Sequence, residues 1–365
     1  MPGANGLEPM QITARPCGSL IRGVLPVGCR QCTEGAKMVL FVTGLCSFHC
    51  FYCPVSEEKM YKDVIFANER RVTSDTDVIE EARAMRASGA GITGGDPLDV
   101  VDRTCHYIRL LKQEFGPQFH THLYTMTPDP EKIRKLGAAG LDEIRFHVPA
   151  GLWSRVATTP YPKASRLAKS LGITVGLEVP LLPDRASDLA KLLEWAEAED
   201  MSFVNLNELE FSDANYARMV RHGYEPKAEL AFGVKGADAA ADELLRRSWR
   251  ITVHYCTSGY KDGFQLRERM KRRAETLARP LDLITEDGTV VKGVIEGDDL
   301  DAIATTLRRR YHVPADLLAV VPERGRVEVA AWVLEGLSSR LGRPCHIVEE
   351  FPTADPIEVE RTPLA

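Results

Sequence analysis

Cys46, Cys50 and Cys53 fall in the run Cys46-Ser-Phe-His-Cys50-Phe-Tyr-Cys53-Pro54, directly after the apolar stretch from Met38 to Gly44. Iron–sulfur clusters take cysteine thiolates as ligands, often from short local spans. Three thiolates can hold three corners of a [4Fe–4S] cube and leave its fourth iron without a protein ligand. As with zinc, an unfilled coordination position marks a site built to take a reactant rather than to staple a fold. The chain has nine cysteines. Chance placement of nine gives a C-x3-C-x2-C run in roughly half a percent of such sequences.

A second chemical element follows in Ala90-Gly-Ile-Thr93-Gly94-Gly95-Asp96-Pro97-Leu98. A strand end that must meet a ligand with its backbone needs residues without a Cβ. Together the two segments resemble the signature of the radical S-adenosylmethionine (radical SAM) superfamily. The resemblance implies a [4Fe–4S] cluster on Cys46, Cys50 and Cys53, with Tyr52 beside the adenine of SAM. It also implies that Thr93, Gly94, Gly95, Asp96 and Pro97 form the element that contacts the methionine amino group. This chain has Asp96 where glutamate is usual, a shorter acid of equal charge. The segments Gly28-Cys29-Arg-Gln-Cys32 and Tyr260-Lys-Asp-Gly-Phe-Gln-Leu-Arg267 are similar to an uncharacterised group related to pyruvate formate-lyase activating enzyme.

Several side chains at strand ends could reach SAM or a substrate. His147 and Asn205 are candidates for cofactor contact, and Glu178, Asn207 and Cys256 for catalysis. In Val204-Asn-Leu-Asn-Glu-Leu-Glu-Phe211 a polar residue recurs at every second position. Buried parallel strands read as continuous Val and Ile, so this alternation suggests the lining of a polar cavity, or else one solvated edge. Cys29-x2-Cys32 with Cys256 and His254 could form a second metal site, zinc or iron–sulfur. Cys32, just ahead of its strand, would naturally sit at the far end of the fold from Cys256, although the linking residues could run back. Alternatively Cys256 is a lone thiol able to give a hydrogen atom to a substrate radical.

These residues must be positioned by a scaffold, and the chain of 365 residues is long enough for two domains. Short β-type runs at 38–43, 90–93, 121–126, 142–148, 173–180, 203–209 and 250–255 alternate with helical periods, which predicts βα units on a parallel sheet. Six or seven such units make a partial (β/α)6-type barrel, with the active site at the C-terminal strand ends. Residues 1–36 are an N-terminal extension, 37–279 the barrel with a closing basic helix, and 280–365 an α+β appendage. In the appendage a hairpin around Asp287-Gly288 is expected. Helices near 298–311 and 326–340 should follow, then strands at 346–349 and 357–360.

Composition limits the function classes. With 44% apolar and 27% charged residues the chain reads as an ordinary globular protein. It shows no signal-peptide pattern and no apolar run of ~18 residues, so a reducing cytoplasm without membrane contact is expected. Net charge is −6, which gives the whole molecule no electrostatic attraction for nucleic acid. The helix bearing Arg267, Arg269, Lys271, Arg272 and Arg273 is either a solvated face or a site for RNA or another phosphate-bearing substrate. The expected activity is reductive SAM cleavage to a 5′-deoxyadenosyl radical, with an electron donor such as ferredoxin or flavodoxin. The substrate is RNA or a phosphate-bearing small molecule, or else a partner polypeptide that receives a glycyl radical. A non-catalytic metal protein is the remaining alternative.

Overall fold

The computed structural model describes residues 10–228 and 232–364. The chain packs as two units, one reaching to Glu81 and continuing over Ala87–Leu266, the other made of Ala82–Arg86 and Arg267–Ala365.

The first unit opens with two short strands, β1 (Ile12–Ala14) and β2 (Leu20–Arg22), then helix α1 (Val27–Thr33) and β3 (Lys37–Phe41). After the cysteine loop come the small strands β4 (Phe66–Ala67) and β5 (Arg70–Arg71), and α2 (Asp75–Ala84). Regular βα units follow: β6 (Gly89–Thr93), α3 (Val101–Phe115), β7 (His120–Thr125), α4 (Pro130–Ala139), β8 (Glu143–Phe146), α5 (Tyr161–Ser170), β9 (Thr174–Leu181), α6 (Ala186–Ala198) and β10 (Phe203–Glu208). Then come α7 (Tyr216–Arg221), α8 (Ala237–Arg246), β11 (Thr252–Cys256) and one turn, α9 (Ser258–Tyr260), running into a π-helix over Lys261–Leu266. The sheet order is β1-β2-β11-β10-β9-β8-β7-β6-β3-β4-β5, parallel from β3 through β11 and open at both ends. This is the expected partial barrel, each strand within two residues of its predicted start.

Residues paired across parallel strands share a face. One row of pairs, Leu40–Ile92–Leu123–Ile144–Val175, is apolar and buried. The alternate row carries the chemistry: Gly91–His122–Glu143, Tyr124–Arg145–Gly176, and Glu178–Asn205–His254. A barrel lumen lined this way cannot close on itself as an apolar core does. Helix α1 fills it. A Cβ on Gly28 would sit 2.5 Å from the His122 ring and 2.7 Å from Arg145 Nη2, and a Cβ on Gly89 would sit 2.3 Å from Gln31 Oε1. Gln31 also donates to Ser88 O (3.0 Å). Helix α1 is therefore part of the barrel interior. The objection that Cys32 belongs at the far end from Cys256 fails, because the chain turns inward before β3.

The second unit begins with α10 (Arg267–Leu277) and continues through β12 (Leu283–Ile284), β13 (Val290–Glu296), α11 (Leu300–Arg310), β14 (Leu318–Val321), β15 (Arg326–Val329), α12 (Ala331–Glu335), α13 (Ser338–Leu341), β16 (Cys345–Glu350) and β17 (Glu358–Leu364). The sheet order is β14-β15-β13-β16-β17, with β12 paired to β13 through the expected hairpin, where Gly288 takes φ 83°. The helix expected over 326–340 is corrected. Residues 326–329 form a strand, and only 331–335 and 338–341 are helical. Arg326-Val-Glu-Val329 has period two: Val327 and Val329 enter the apolar core with Ile295 and Leu307, while Arg326 and Glu328 turn to the other face. The basic helix α10 belongs to this unit, where Arg272 donates to Arg86 O (2.7 Å) and Arg273 to Pro352 O.

Candidate active site

The cysteine loop leaves β3 at Phe41 and is joined to the end of β6 by main-chain bonds. Val42 N donates to Thr93 O (2.9 Å), Gly95 N to Thr43 O (2.8 Å) and Asp96 N to Leu45 O (3.0 Å). This close approach requires the two glycines. A Cβ on Gly95 would lie 1.9 Å from Leu45 O, and one on Gly94, at φ 157°, would lie 2.4 Å from Thr43 O. The Gly-Gly pair thus fastens the loop to the sheet as well as presenting backbone to the cavity.

Other contacts fix the rest of the loop. Ser47 N and Oγ both donate to Asp99 Oδ2 (3.1 Å each). Asn215 Nδ2 donates to Tyr52 O (3.0 Å) and Arg218 Nη2 to Cys53 O (3.3 Å). The Phe51 ring stacks on His222 at 4.0 Å. The three thiols are free and partly exposed. They border a cavity of about 250 Å³ lined also by Tyr52, Thr93, Gly94, Gly95, Tyr124, Thr125, Met126 and His147. Burial pushes the Cys46 thiol up to about 11 and raises Cys50 as well, so a metal must displace protons to bind there.

Of the residues expected at the cofactor, Tyr52 and His147 meet across this cavity, the hydroxyl 2.8 Å from Nε2. Burial holds His147 down to about 4, so the ring is neutral near pH 7 and can accept from the tyrosine. Thr93, Gly94 and Gly95 line the wall. Asp96 lies behind it, 1% exposed. Its Oδ1 accepts from Leu98 N (2.9 Å) and Thr125 Oγ1 (2.7 Å), its Oδ2 from Met126 N (3.0 Å) and Thr127 Oγ1 (2.9 Å). The carboxylate therefore ties the end of β6 to the turn after β7, and Pro97 is buried with it. Sequence spacing could not show this, because its partners Thr125 and Thr127 lie a whole βα unit away.

Asn205, Asn207, Glu178 and Cys256 lie deeper, outside the lining of that cavity. Arg145 is the centre of their network, 1% exposed. Its Nε donates to Glu143 Oε1 (2.6 Å) and its Nη1 to Glu178 Oε2 (2.7 Å). Asn205 Nδ2 donates to Glu178 Oε2 (2.8 Å) and also to Cys29 Sγ (3.1 Å), and Asn207 Nδ2 donates to Glu178 Oε1 (2.7 Å). Burial works to raise the Glu178 pKa, yet Arg145 and the two amides outweigh it and hold the carboxyl at about 2. Lys37 Nζ lies 3.2 Å from Tyr124 OH and 3.4 Å from His122 Nε2. The alternation in β10 is therefore the lining of a polar interior, not a solvated edge.

The cysteine pair of α1 and Cys256 do come near one another, enough for Cys29 and Cys32 to add to the burial that raises the Cys256 thiol. Cys29 is raised to about 11, chiefly by burial. Among the described residues, however, no three His, Cys, Asp or Glu side chains converge on a single-ion site. Lys37, His122 and the anchors Asn215 and Arg218 were not singled out from sequence. Lys37 and His122 could have been, since both sit on the polar row of their strands.

The profile of the Radical SAM superfamily matches residues 40–196, and that of a domain of unknown function (DUF8061) matches residues 288–364. A protein of Methanocaldococcus jannaschii, named provisionally as a glycyl-radical enzyme activating enzyme, is 37% identical over 364 residues, covering 93% of each chain. Among solved structures, Streptococcus suis SuiB bound to S-adenosylmethionine aligns at 10% identity and TM-score 0.40 over 61% of this chain and 50% of that one. The FeFe-hydrogenase maturase HydG of Carboxydothermus hydrogenoformans aligns at 13% and 0.36 over 50% and 48%. The chain thus spans about half the length of these two structures. With the three-cysteine loop and its joined Gly-Gly strand end in place, and a relative matched along nearly its whole length, the chain belongs to the radical SAM superfamily.

Proposed function

We propose that this radical SAM enzyme generates a glycyl radical on a partner polypeptide, with Cys46, Cys50 and Cys53 holding its [4Fe–4S] cluster and SAM in the adjoining cavity. The residues fit these groups: three free thiols share one loop, and a 250 Å³ cavity opens beside them with glycine backbone on its wall. When bound, the pair supplies a 5′-deoxyadenosyl radical by reductive cleavage of SAM, and that radical takes a hydrogen atom from the substrate.

The chain's own contribution is orientation and exclusion of water. Tyr52 and His147 close one side of the cavity by their hydrogen bond. Asp96 fixes Thr125 and Met126 on another side. Below them the packed lumen, filled by α1 and the Arg145–Glu178 pair, bars solvent from the opposite end of the barrel. Glu178 stays ionised and Asn205 and Asn207 stay bound to it, so these three act by positioning one another.

The observation that carries the choice of substrate is the full-length relative named for glycyl-radical activation. The alternative, RNA or a small phosphate-bearing substrate held by α10, has weaker support, because Arg272 and Arg273 are spent on main-chain carbonyls of their own unit. The test is anaerobic incubation of the reconstituted enzyme with SAM, a low-potential reductant and fractionated extract from cells fed α-deuterated glycine. The expected outcome is deuterium arriving in 5′-deoxyadenosine and a glycyl EPR signal on a polypeptide that is a doublet with unlabelled extract and collapses to a single line with the labelled one. SAM cleavage that takes deuterium from no polypeptide would overturn it.

A further inference from the structure

Three loop cysteines leave one corner of a cubic cluster without a protein ligand, and a further sulfur stands beside them. Met126, in the turn after β7, lines the same cavity as Cys46, Cys50 and Cys53. Its Sδ lies 3.8 Å from Cys50 Sγ and accepts from that thiol. The main chain of Met126 is held on both sides. Its N–H donates to Asp96 Oδ2 (3.0 Å), and its carbonyl accepts from Tyr161 OH (2.5 Å). Both anchors are themselves buried, Asp96 1% and Tyr161 2% exposed. Thr127 Oγ1 donates to the same Asp96 oxygen (2.9 Å) and fixes the next residue. The side chain therefore leaves a clamped backbone in the direction of the cysteine loop. Methionine is ordinarily a filler of irregular apolar gaps. Met60, on the wall of the same cavity, fits that description, since its sulfur has no such partner among the described residues. Met126 differs because its sulfur itself meets a thiol of the loop.

We infer that Met126 is the fourth protein ligand of the resting cluster: its thioether holds the iron that the three cysteines leave open, and incoming SAM displaces it. Thioethers are soft donors, and soft sulfur ligands are the ones that iron–sulfur clusters take. A cysteine that binds metal gives up its proton. Cys50 then has nothing to donate, and the Met126 lone pair that accepts from it is released while Asp96 and Tyr161 keep the residue at the loop. The exchange with SAM is a ligand substitution without electron transfer. The iron–thioether bond breaks, bonds from iron to the amino and carboxylate groups of SAM form, and the unbranched Met126 side chain turns aside by rotation about its own bonds. The role of Met126 is to keep the exchangeable corner closed, and its iron in place, until SAM arrives. The inference rests on Cys46, Cys50 and Cys53 holding the cluster.

The test uses the full chain labelled with selenomethionine enriched in the magnetic isotope of selenium, reconstituted and reduced without oxygen. Electron–nuclear double resonance on the cluster's EPR signal is expected to show a strong selenium coupling in the wild type, and addition of SAM is expected to remove it. Met126→Leu, a change that conserves volume, should lack the coupling from the start while keeping the iron content of the wild type. Met60→Leu should retain it. Met126→Leu should also lose its fourth iron to dilute oxygen several-fold faster than the wild type, seen as growth of a three-iron EPR signal, and SAM should erase that difference. A loaded cluster without selenium coupling overturns the inference. So does a coupling that persists in Met126→Leu, one that SAM leaves untouched, or equal rates of iron loss in the two proteins. None of these results touches the cysteine assignment or the glycyl-radical reading. The cysteine assignment fails on a different result, a wild type that binds no iron, which would end this inference with it. The glycyl-radical reading is decided by deuterium from a polypeptide.

Discussion

Two sets of three cysteines lie in the same barrel, and they are treated differently. Cys46, Cys50 and Cys53 are partly exposed on one loop beside a cavity, and Asp99, Asn215 and Arg218 hold that loop through Ser47 and the main chain of Tyr52 and Cys53. Cys29 and Cys256 are buried and Cys32 half-buried on the lumen side, where Asn205 donates to Cys29 and the backbone of α1 packs against His122 and Arg145. A cavity borders the first set, while side chains of the lumen face the second. Spacing made both sets candidates; what separates them is free volume and partners.

The largest break in that comparison is Cys50→Ala. Removal of one of three ligands is expected to abolish 5′-deoxyadenosine formation and to strip iron and sulfide from the purified protein. Retained turnover would move the cluster elsewhere. Next is the lumen's charge. Arg145→Leu leaves Glu143 and Glu178 buried without their cation, at a cost of about 3–5 kcal/mol, readable as an earlier urea midpoint with the slope of the transition unchanged. A loss under 1 kcal/mol would mean that water reaches the lumen and screens the pair.

The third effect is acid sensitivity of the same interior. Burial holds His254 at about 4, against about 6.5 in the unfolded chain. Below 6.5 the unfolded state takes up the proton first, so stability present at neutral pH is lost as pH falls from about 6.5 to 4, by about 3 kcal/mol in total. Glu178 has the opposite origin but the same direction at lower pH: its stabilisation holds above about 4.5 and disappears as pH falls toward 2. Unfolding free energy measured from pH 7 to 4 should therefore flatten in His254→Gln relative to wild type. Parallel profiles would show the ring to be solvated. Gly28→Ala comes after it. Its new Cβ meets His122 and Arg145, and such overpacking typically costs about 1–3 kcal/mol; an unchanged midpoint would mean that α1 does not occupy the lumen.

The barrel could be read from sequence because each βα unit is local: caps such as Asp129 before Pro130, and short apolar runs, repeat within thirty residues. The cysteine loop and the Gly-Gly element were readable for the same reason. What stayed hidden was whatever depends on two units meeting. That Asp96 also ties β6 to the turn after β7, through Thr125 and Thr127, shows only once the two strands lie side by side. The strand at Arg326–Val329 was lost inside a longer run with helical propensity, although its alternation was visible. The plug formed by α1 could not be foreseen, since nothing in Gly28-Cys29-Arg-Gln-Cys32 says which way the chain turns before β3.

The smallest expected effect bears most closely on the two cysteine sets. Cys29→Ser changes one buried sulfur to a smaller hydroxyl that can still accept from Asn205, so the loss should be about 1 kcal/mol. Iron per chain is expected to stay the same, because Asn205 donates to Cys29 Sγ and the helix backbone beside it packs against His122 and Arg145. The measurement is iron and acid-labile sulfide in wild type, Cys29→Ser and Cys50→Ala reconstituted side by side. A wild type with about four irons, equalled by Cys29→Ser and emptied by Cys50→Ala, assigns the metal to the loop thiols alone. A wild type with about eight, halved by either change, would show that the cysteines of α1 take a second cluster and that the helix shifts in the lumen to admit it.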